Sequence, residues 1–318
     1  MFHPVAFEGM DGAKIGTIGL IALLHYNQKL IRQVQVLTSI IEETGPNPVV
    51  VNDLMYWFAF DSMGDFGFGV DFGMMKSRKW IDAALNMRSA IGLLGPFSPA
   101  IWIPRVAFRF TPGIWKVKQW FHMLEFADNC VNTRLREDHD SRNIASWFIK
   151  EYKSNGETEV GQRLLSGDIA TSVVAGSTNI TALSSLPHLN GVISESMRLL
   201  PAILTFSSRV TPLEGLKVDG TYIPGNTKIC APRYSIGRCG KPELIKDKRA
   251  FAPFGVGRTA CVGRHLATTQ LRLVAATLLS GYNIRFASNE PEGQVFDKTM
   301  RDQLAANPGA LCLIFERR

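Results

Sequence analysis

The stretch Phe254-Gly255-Val256-Gly257-Arg258-Thr259-Ala260-Cys261-Val262-Gly263 sets one cysteine in a glycine-rich loop. From Arg264 to Ser280 apolar residues recur at helical spacing, and Gly281 is a natural helix end, so a helix is predicted directly after the loop. Free N–H groups and the dipole at a helix N-terminus favour a thiolate, and glycines let a large flat ligand approach. The pattern therefore suits a cysteine that ligates iron. The alternative is a buried cysteine at a helix start between turn glycines.

The same loop resembles the haem-binding loop of the cytochrome P450 family, in which an aromatic residue and glycines frame the cysteine that ligates haem iron. Phe254, Gly257, Cys261 and Gly263 stand at the matching positions. The resemblance implies that Cys261 is the metal ligand and that the other three shape the cofactor site. Where the family places a propionate-binding arginine, this chain has a threonine, and the candidate is the preceding Arg258.

A second motif lies upstream, in residues 189–201. Glu195 and Arg198 are three residues apart on a predicted helix, so they share a face and can pair. The motif resembles the family's structural glutamate–arginine helix, and its apolar neighbours Val192, Ile193, Met197 and Leu199 predict that this helix is largely buried. The segment from 208 to 225 resembles the sheet that follows, which implies that Arg209 binds a haem propionate.

The stretch 173–181 resembles the helix that crosses the oxygen-binding face of the haem. The family follows its alanine–glycine pair with one variable residue, an acid and a threonine, whereas Thr178 and Asn179 take the last two positions here. Thr178 is therefore the candidate catalytic residue near oxygen, and the relay lacks its carboxylate. The alternative is a loop at which two unrelated exon ends meet.

The resemblance implies a mainly α fold with a small β-sheet, in a single domain over residues 1–318, and no linker of Gly/Ser or charged residues divides the chain. We expect an incomplete version of the family fold, without an N-terminal anchor and parts of the core. The interval between Thr181 and Glu195 is short, and no Pro-Glu-Arg segment occurs between Ser235 and Phe254. The segment Lys241-Pro242-Glu243-Leu244-Ile245 is similar to fungal members.

Several elements are predicted from periodicity alone. Helices are expected over Leu30–Thr44, Val51–Gly64 and Trp115–Arg136, and a terminal strand pair over Tyr282–Phe286 and Ala310–Phe315.

The composition excludes several classes of protein. An apolar content of 46% with 20% charged residues indicates a globular chain, not a disordered one. Five cysteines without a CxxC pair indicate reduced intracellular thiols, and the histidines show no zinc-like spacing. The net charge of +7 comes without a basic cluster interleaved with aromatics, so no nucleic-acid partner is expected.

The segment 93–110 is the candidate for membrane contact. It is apolar but contains Pro96, Pro99 and Pro104, which exclude one continuous helix. The family resemblance implies peripheral contact with a membrane, and packing in the core is the alternative. No apolar run reaches the length of a bilayer span. The resemblance implies the endoplasmic reticulum membrane, and a cytoplasmic location is the alternative because the chain carries no anchor.

The resemblance implies a monooxygenase that holds haem b (iron protoporphyrin IX) through Cys261. Electrons would come from NADPH through NADPH–cytochrome P450 reductase, steered to a basic face that includes Arg258, Arg264 and Arg272. The substrate would be a small hydrophobic organic molecule, in detoxification or secondary metabolism. The alternative is an inactive, truncated pseudoenzyme or a misassembled gene model without catalysis.

Overall fold

The structure is a computed structural model. It describes residues 12–97, 102–111, 113–136, 185–204, 209–230, 251–257, 260–261, 263–303 and 305–318, together with 146, 149, 152–153, 183 and 235.

Helices make up most of the described chain. They are α1 (Gly12–Thr44), α2 (Val51–Met63), α3 (Met74–Ser77), α4 (Asp82–Phe97), α5 (Trp102–Phe110), α6 (Trp115–Arg136), α7 (Pro187–Leu199), α8 (Arg264–Gly281) and α9 (Gln294–Lys298). A π-helical turn, Gly64–Phe68, continues α2.

The strands form small antiparallel sheets. They are β1 (Val49–Val50), β2 (Arg209–Val210), β3 (Leu216–Val218), β4 (Thr221–Ile223), β5 (Lys228–Ile229), β6 (Tyr282–Phe286), β7 (Arg301–Gln303), β8 (Ala305–Asn307) and β9 (Cys312–Arg317). β9 is the central strand of a three-stranded sheet in the order β1-β9-β6, with Ile284 opposite Phe315. The pairs β2–β5, β3–β4 and β7–β8 are two-stranded. The mainly helical fold with small sheets that the sequence predicted is confirmed.

The main hydrophobic core joins helices from both ends of the chain. It combines the buried face of α1 with side chains of α2, α8 and the terminal sheet. Leu37 and Leu266 are 0% and 1% exposed, so α1 and α8 meet in an interior from which water is excluded. Burying a leucine side chain contributes roughly 1.5–3 kcal/mol. The buried members of the core include Leu30, Leu37, Ile41, Leu54, Leu266, Tyr282 and Phe315.

A buried carboxylate orders the turn after α2. The Asp61 carboxylate accepts hydrogen bonds from the backbone N–H groups of Met74 (3.0 Å) and Met75 (2.8 Å), the first residues of α3. Burial raises the pKa of Asp61 above its ordinary value, against the lowering effect of these two bonds. Lys29 adds a second tie, because its Nζ lies 2.6 Å from Asp65 Oδ1 and connects α1 to the π-helical turn.

The structure corrects the expectation that the helix carrying Glu195 is largely buried. Ile193 is the buried residue of α7, while Val192 and Leu199 are 46% and 38% exposed. Neighbouring residues of a helix point about 100° apart, so a run of apolar residues cannot place all its members on one packed face.

The apolar segment 93–110 contains parts of two separate helices, with Pro96 inside α4 and Pro104 inside α5, while Pro99 lies outside the described residues. α4 ends at Phe97 and α5 begins at Trp102. No helix among the described residues combines the length and apolarity needed to cross a bilayer. The single-domain expectation for residues 1–318 stays a prediction.

The core predicts unequal effects for two leucines of α8. We expect Leu266→Ala to lower the free energy of unfolding by about 2–5 kcal/mol, because it leaves a cavity at a fully buried position. Leu271→Ala on the same helix is the matched control, since Leu271 is 43% exposed. Denaturant unfolding measures both. Equal losses for the two variants would contradict the packing described.

Candidate functional site

The cysteine loop is held by its own backbone hydrogen bonds. Gly255 N donates to Ala252 O (2.9 Å), Cys261 N donates to Phe254 O (2.7 Å), and Ala260 N donates to Gly257 O (3.0 Å). The bond between Cys261 and Phe254 closes the loop across seven residues. The backbone that carries the sulfur is therefore fixed by hydrogen bonds to residues 252–257.

Two glycines make this path possible. Gly255 and Gly257 have φ of 73° and 71°, in the left-handed region that side chains with a Cβ rarely adopt. A Cβ added at Gly257 would meet no atom of the described residues within 4 Å, so the backbone conformation and not crowding requires glycine there.

The Cys261 side chain is a free, exposed thiol. The helix after the loop begins at Arg264, with the buried Gly263 directly before it, so Cys261 lies three residues ahead of the first helical residue. Leu266, two residues into the helix, is a core residue. The loop is thus connected to the main core by one short segment of backbone.

The described loop residues fit the attachment of a haem. Cys261 is a free, exposed cysteine, and no described residue comes within 4 Å of a Cβ built at Gly257. A single cysteine thiolate is one of the axial ligands that proteins give to haem iron. No group of three histidine, cysteine or acidic side chains within the described ranges could form a multi-ligand metal centre.

Other predicted site residues lie on separate elements or outside the described residues. Arg209 is an exposed residue of β2, paired through the backbone with Ile229 of β5. Phe254 is half-buried beside the cysteine in the loop. Arg258 and Thr178 lie outside the described residues. The roles predicted for all four stay predictions.

Glu195 and Arg198 form the pair that their spacing predicted. Arg198 Nε donates to Glu195 Oε2 (2.7 Å), and Arg198 Nη2 donates to Glu195 Oε1 (2.5 Å). Both side chains are accessible, at 54% and 32% exposure. The hydrogen bonds from Arg198 lower the pKa of Glu195, and those to Glu195 raise the pKa of Arg198. The two residues thus form an ion pair with two hydrogen bonds, and their side chains are accessible to solvent.

A polar link between α7 and α8 was missed by the sequence analysis. Arg272 Nε donates to Asn190 Oδ1 (2.7 Å) and joins the helix behind the cysteine loop to the helix that carries Glu195. The partners are 82 residues apart, so no local pattern marks them. The sequence placed Arg272 on a basic surface, whereas in the structure its Nε donates a partly buried hydrogen bond between two helices.

Comparison with known proteins points to one family. The family model described as Cytochrome P450 matches residues 159–242 and 240–311. The cytochrome P450 monooxygenase sthD of Phaeosphaeria nodorum is 26% identical over an alignment of 349 positions, which covers 92% of this chain and 73% of the relative. The monooxygenase orf5 of Eupenicillium brefeldianum is 27% identical, with 93% and 70% covered. A tryprostatin B 6-hydroxylase of Aspergillus fumigatus is 28% identical, with 85% and 56% covered.

Solved structures show the same fold at low sequence identity. The haem domain of cytochrome P450DA is similar with a TM-score of 0.70 and 14% identity, over 92% of this chain and 73% of that domain. A triple mutant of the same haem domain gives a TM-score of 0.71.

The surface pair predicts a measurable titration. We expect the Glu195 carboxyl to titrate below its ordinary pKa, and Arg198→Ala to move the pKa back up, because the hydrogen bonds from Arg198 favour the ionised form. The pair's stabilising contribution is present above the ordinary pKa of glutamate and is lost as the pH falls through the lowered value. NMR titration of the side-chain carboxyl carbon in both proteins measures this. An identical midpoint in the two would contradict the pairing.

Proposed function

Because this chain belongs to the cytochrome P450 family, we propose that it is a haem-dependent monooxygenase that hydroxylates a small organic molecule. Dioxygen would be the oxidant, and a reductase would deliver the electrons. The relatives named above are monooxygenases, and one is named as a hydroxylase. The chain spans between about half and three quarters of their lengths.

The observation that carries the proposal is the state of Cys261. Its thiol is free and exposed, and its backbone N–H is held 2.7 Å from Phe254 O in a loop with two left-handed glycines. A cysteine kept only for packing would be buried, as thiols commonly are. Exposure of a cysteine whose backbone N–H is hydrogen-bonded to Phe254 O supports a sulfur that meets a ligand from outside the chain.

The chain's residues would divide the work of holding haem b. Cys261 would give the sulfur, Phe254 and Gly263 would shape the loop around it, and Gly257 would leave room for the porphyrin edge. Arg209, with Arg258, would balance the negative charge of the propionates. When bound, the haem would supply the activation of dioxygen, which electron donation from the thiolate favours. Glu195 and Arg198 would have a structural role and no catalytic one.

Thr178 would supply a side-chain hydroxyl group on the oxygen-binding side of the haem site. A threonine hydroxyl can donate one hydrogen bond and accept others, so it can hold or pass a proton without changing charge. The substrate proposed is small and hydrophobic, and one relative is named as a hydroxylase of tryprostatin B. Secondary metabolism is the proposed setting.

The proposed partners are a membrane surface and NADPH–cytochrome P450 reductase. Val106 and Phe110 of α5 are 49% and 73% exposed, and the neighbouring Ile114 is 63% exposed. Such an apolar surface beside basic Arg109 suits peripheral contact with a membrane, which supports a location at the endoplasmic reticulum. Exposed Arg264, next to the cysteine loop, suits steering of an acidic reductase.

The alternative function is a non-catalytic member of the family. The exposure of Glu195 and Arg198 favours it, because the family resemblance implies a largely buried helix for this pair. A chain of this kind would hold haem weakly or not at all.

One spectroscopic experiment separates the two functions. The purified chain is reconstituted with haem, reduced and exposed to carbon monoxide. We expect the strongly red-shifted absorption band of a thiolate-ligated complex, and we expect Cys261→Ser to abolish it. Cys230→Ser is the matched control, since Cys230 is also a free, exposed cysteine, and it should leave the band unchanged. A wild-type chain without the band would reject the monooxygenase.

A further inference from the structure

A cluster of aromatic and polar side chains lies outside the cysteine loop. It joins Tyr56 of α2, Trp80 before α4, Arg88 of α4 and Asn307 of β8. Tyr56, Trp80 and Arg88 are half-buried, so part of each side chain is accessible to solvent. No residue of this cluster is used by the proposed monooxygenase.

The two aromatic rings orient the arginine. The guanidinium carbon of Arg88 lies 5.3 Å from the centroid of the Tyr56 ring and 5.3 Å from that of Trp80. The rings themselves are 5.8 Å apart and tilted by 48°. A cation so close to two ring faces is attracted by both, which restricts its rotamers before any ligand arrives.

The cluster has more hydrogen-bond donors than acceptors. Arg88 Nη2 (3.3 Å) and the Tyr56 hydroxyl (3.1 Å) both donate to Asn307 Oδ1. The buried Trp57 Nε1, whose ring is 6.4 Å from that of Trp80, has no acceptor. Within the described part of the chain no carboxylate forms an ion pair with Arg88. The Arg88 guanidinium and the Tyr56 hydroxyl thus share one neutral acceptor, the side-chain oxygen of Asn307.

The Tyr56 hydroxyl keeps its proton in this setting. Burial raises its pKa, the charge of Arg88 lowers it, and the nearby Asp53 raises it again. The negative charge of Asp53 therefore acts on Tyr56. The same charge would repel an anion that bound beside the Tyr56 hydroxyl.

We propose that Arg88 and Tyr56 form a binding site for a small carboxylate with an aromatic body, whose oxygens replace the Asn307 amide as the acceptor. A carboxylate is the better acceptor, because charge-assisted hydrogen bonds are stronger and a guanidinium can bind both its oxygens. The rings of Tyr56 and Trp80 offer the aromatic body of the ligand a surface for stacking.

The full-length chain tests the site with benzoate, and benzamide serves as the neutral probe of the same shape. Tryptophan fluorescence and the thermal midpoint are followed as each probe is added, with and without haem. We expect benzoate to give a saturable change that does not depend on haem, and benzamide to give none. Arg88→Gln should weaken benzoate binding by about tenfold or more, since a hydrogen bond to a charged group contributes roughly 1.5–3 kcal/mol.

Two further variants test the site without removing the arginine. Asn307→Asp places a carboxylate where the ligand would bind, so it should raise the thermal midpoint and abolish benzoate binding. Asp53→Asn removes the opposing charge and should strengthen the binding. Arg78→Gln is the control, because Arg78 is exposed and pairs with Glu43 at 2.7 Å; it should bind benzoate as the wild type does.

Three results would reject the proposed carboxylate site. Benzoate and benzamide acting alike, or unchanged benzoate binding in Arg88→Gln, would reject the site. Should Arg88→Gln fail to fold, Asn307→Asp decides, and normal benzoate binding by that variant rejects the proposal. None of these outcomes bears on the haem, since Cys261 and its loop are untouched.

Discussion

The burial of Leu266 is the constraint on which the cysteine loop depends. This side chain is 1% exposed and belongs to the same core as Leu30 and Leu37 of α1 and Phe315 of β9. Only four residues separate it from Cys261 along the chain, and the bond from Cys261 N to Phe254 O closes the other side of the loop. The position of the sulfur is thus set by packing of distant segments, and the glycines let the backbone follow the path that this packing imposes.

Glu195 and Arg198 show that two residues can form the predicted ion pair without being buried. The two residues pair because their spacing on α7 places them on one face, which is a local property. An exposed ion pair contributes little to stability because water and salt screen it, whereas a buried one must be fully satisfied to be tolerated. The link from α7 to α8 that the described residues provide is instead the bond between Arg272 and Asn190.

Local rules predicted some ends of elements and missed others, since α1 begins at Gly12 instead of Leu30 and the last strand is Cys312–Arg317 instead of Ala310–Phe315. The sequence alone indicated the end of α1 at Thr44, both ends of α6, and the end of α8 near Gly281, where periodicity and glycine decide. It did not predict the π-helical turn or the role of Asp61, because that carboxylate bonds to residues 13 and 14 positions away. Nor could it predict the bond between Tyr56 and Asn307, whose partners are 251 residues apart. The family resemblance suggested the residues of the site, but their exposure to solvent could be learned only from the folded structure.

The central claim is a bond between the Cys261 sulfur and a haem iron. X-ray absorption at the iron edge of the chain loaded with haem b tests it most directly, because the scattering distinguishes sulfur from nitrogen and oxygen neighbours. The account predicts four porphyrin nitrogens and one sulfur ligand at the iron. A coordination shell of nitrogen and oxygen alone, in a folded sample that holds its haem, would contradict it.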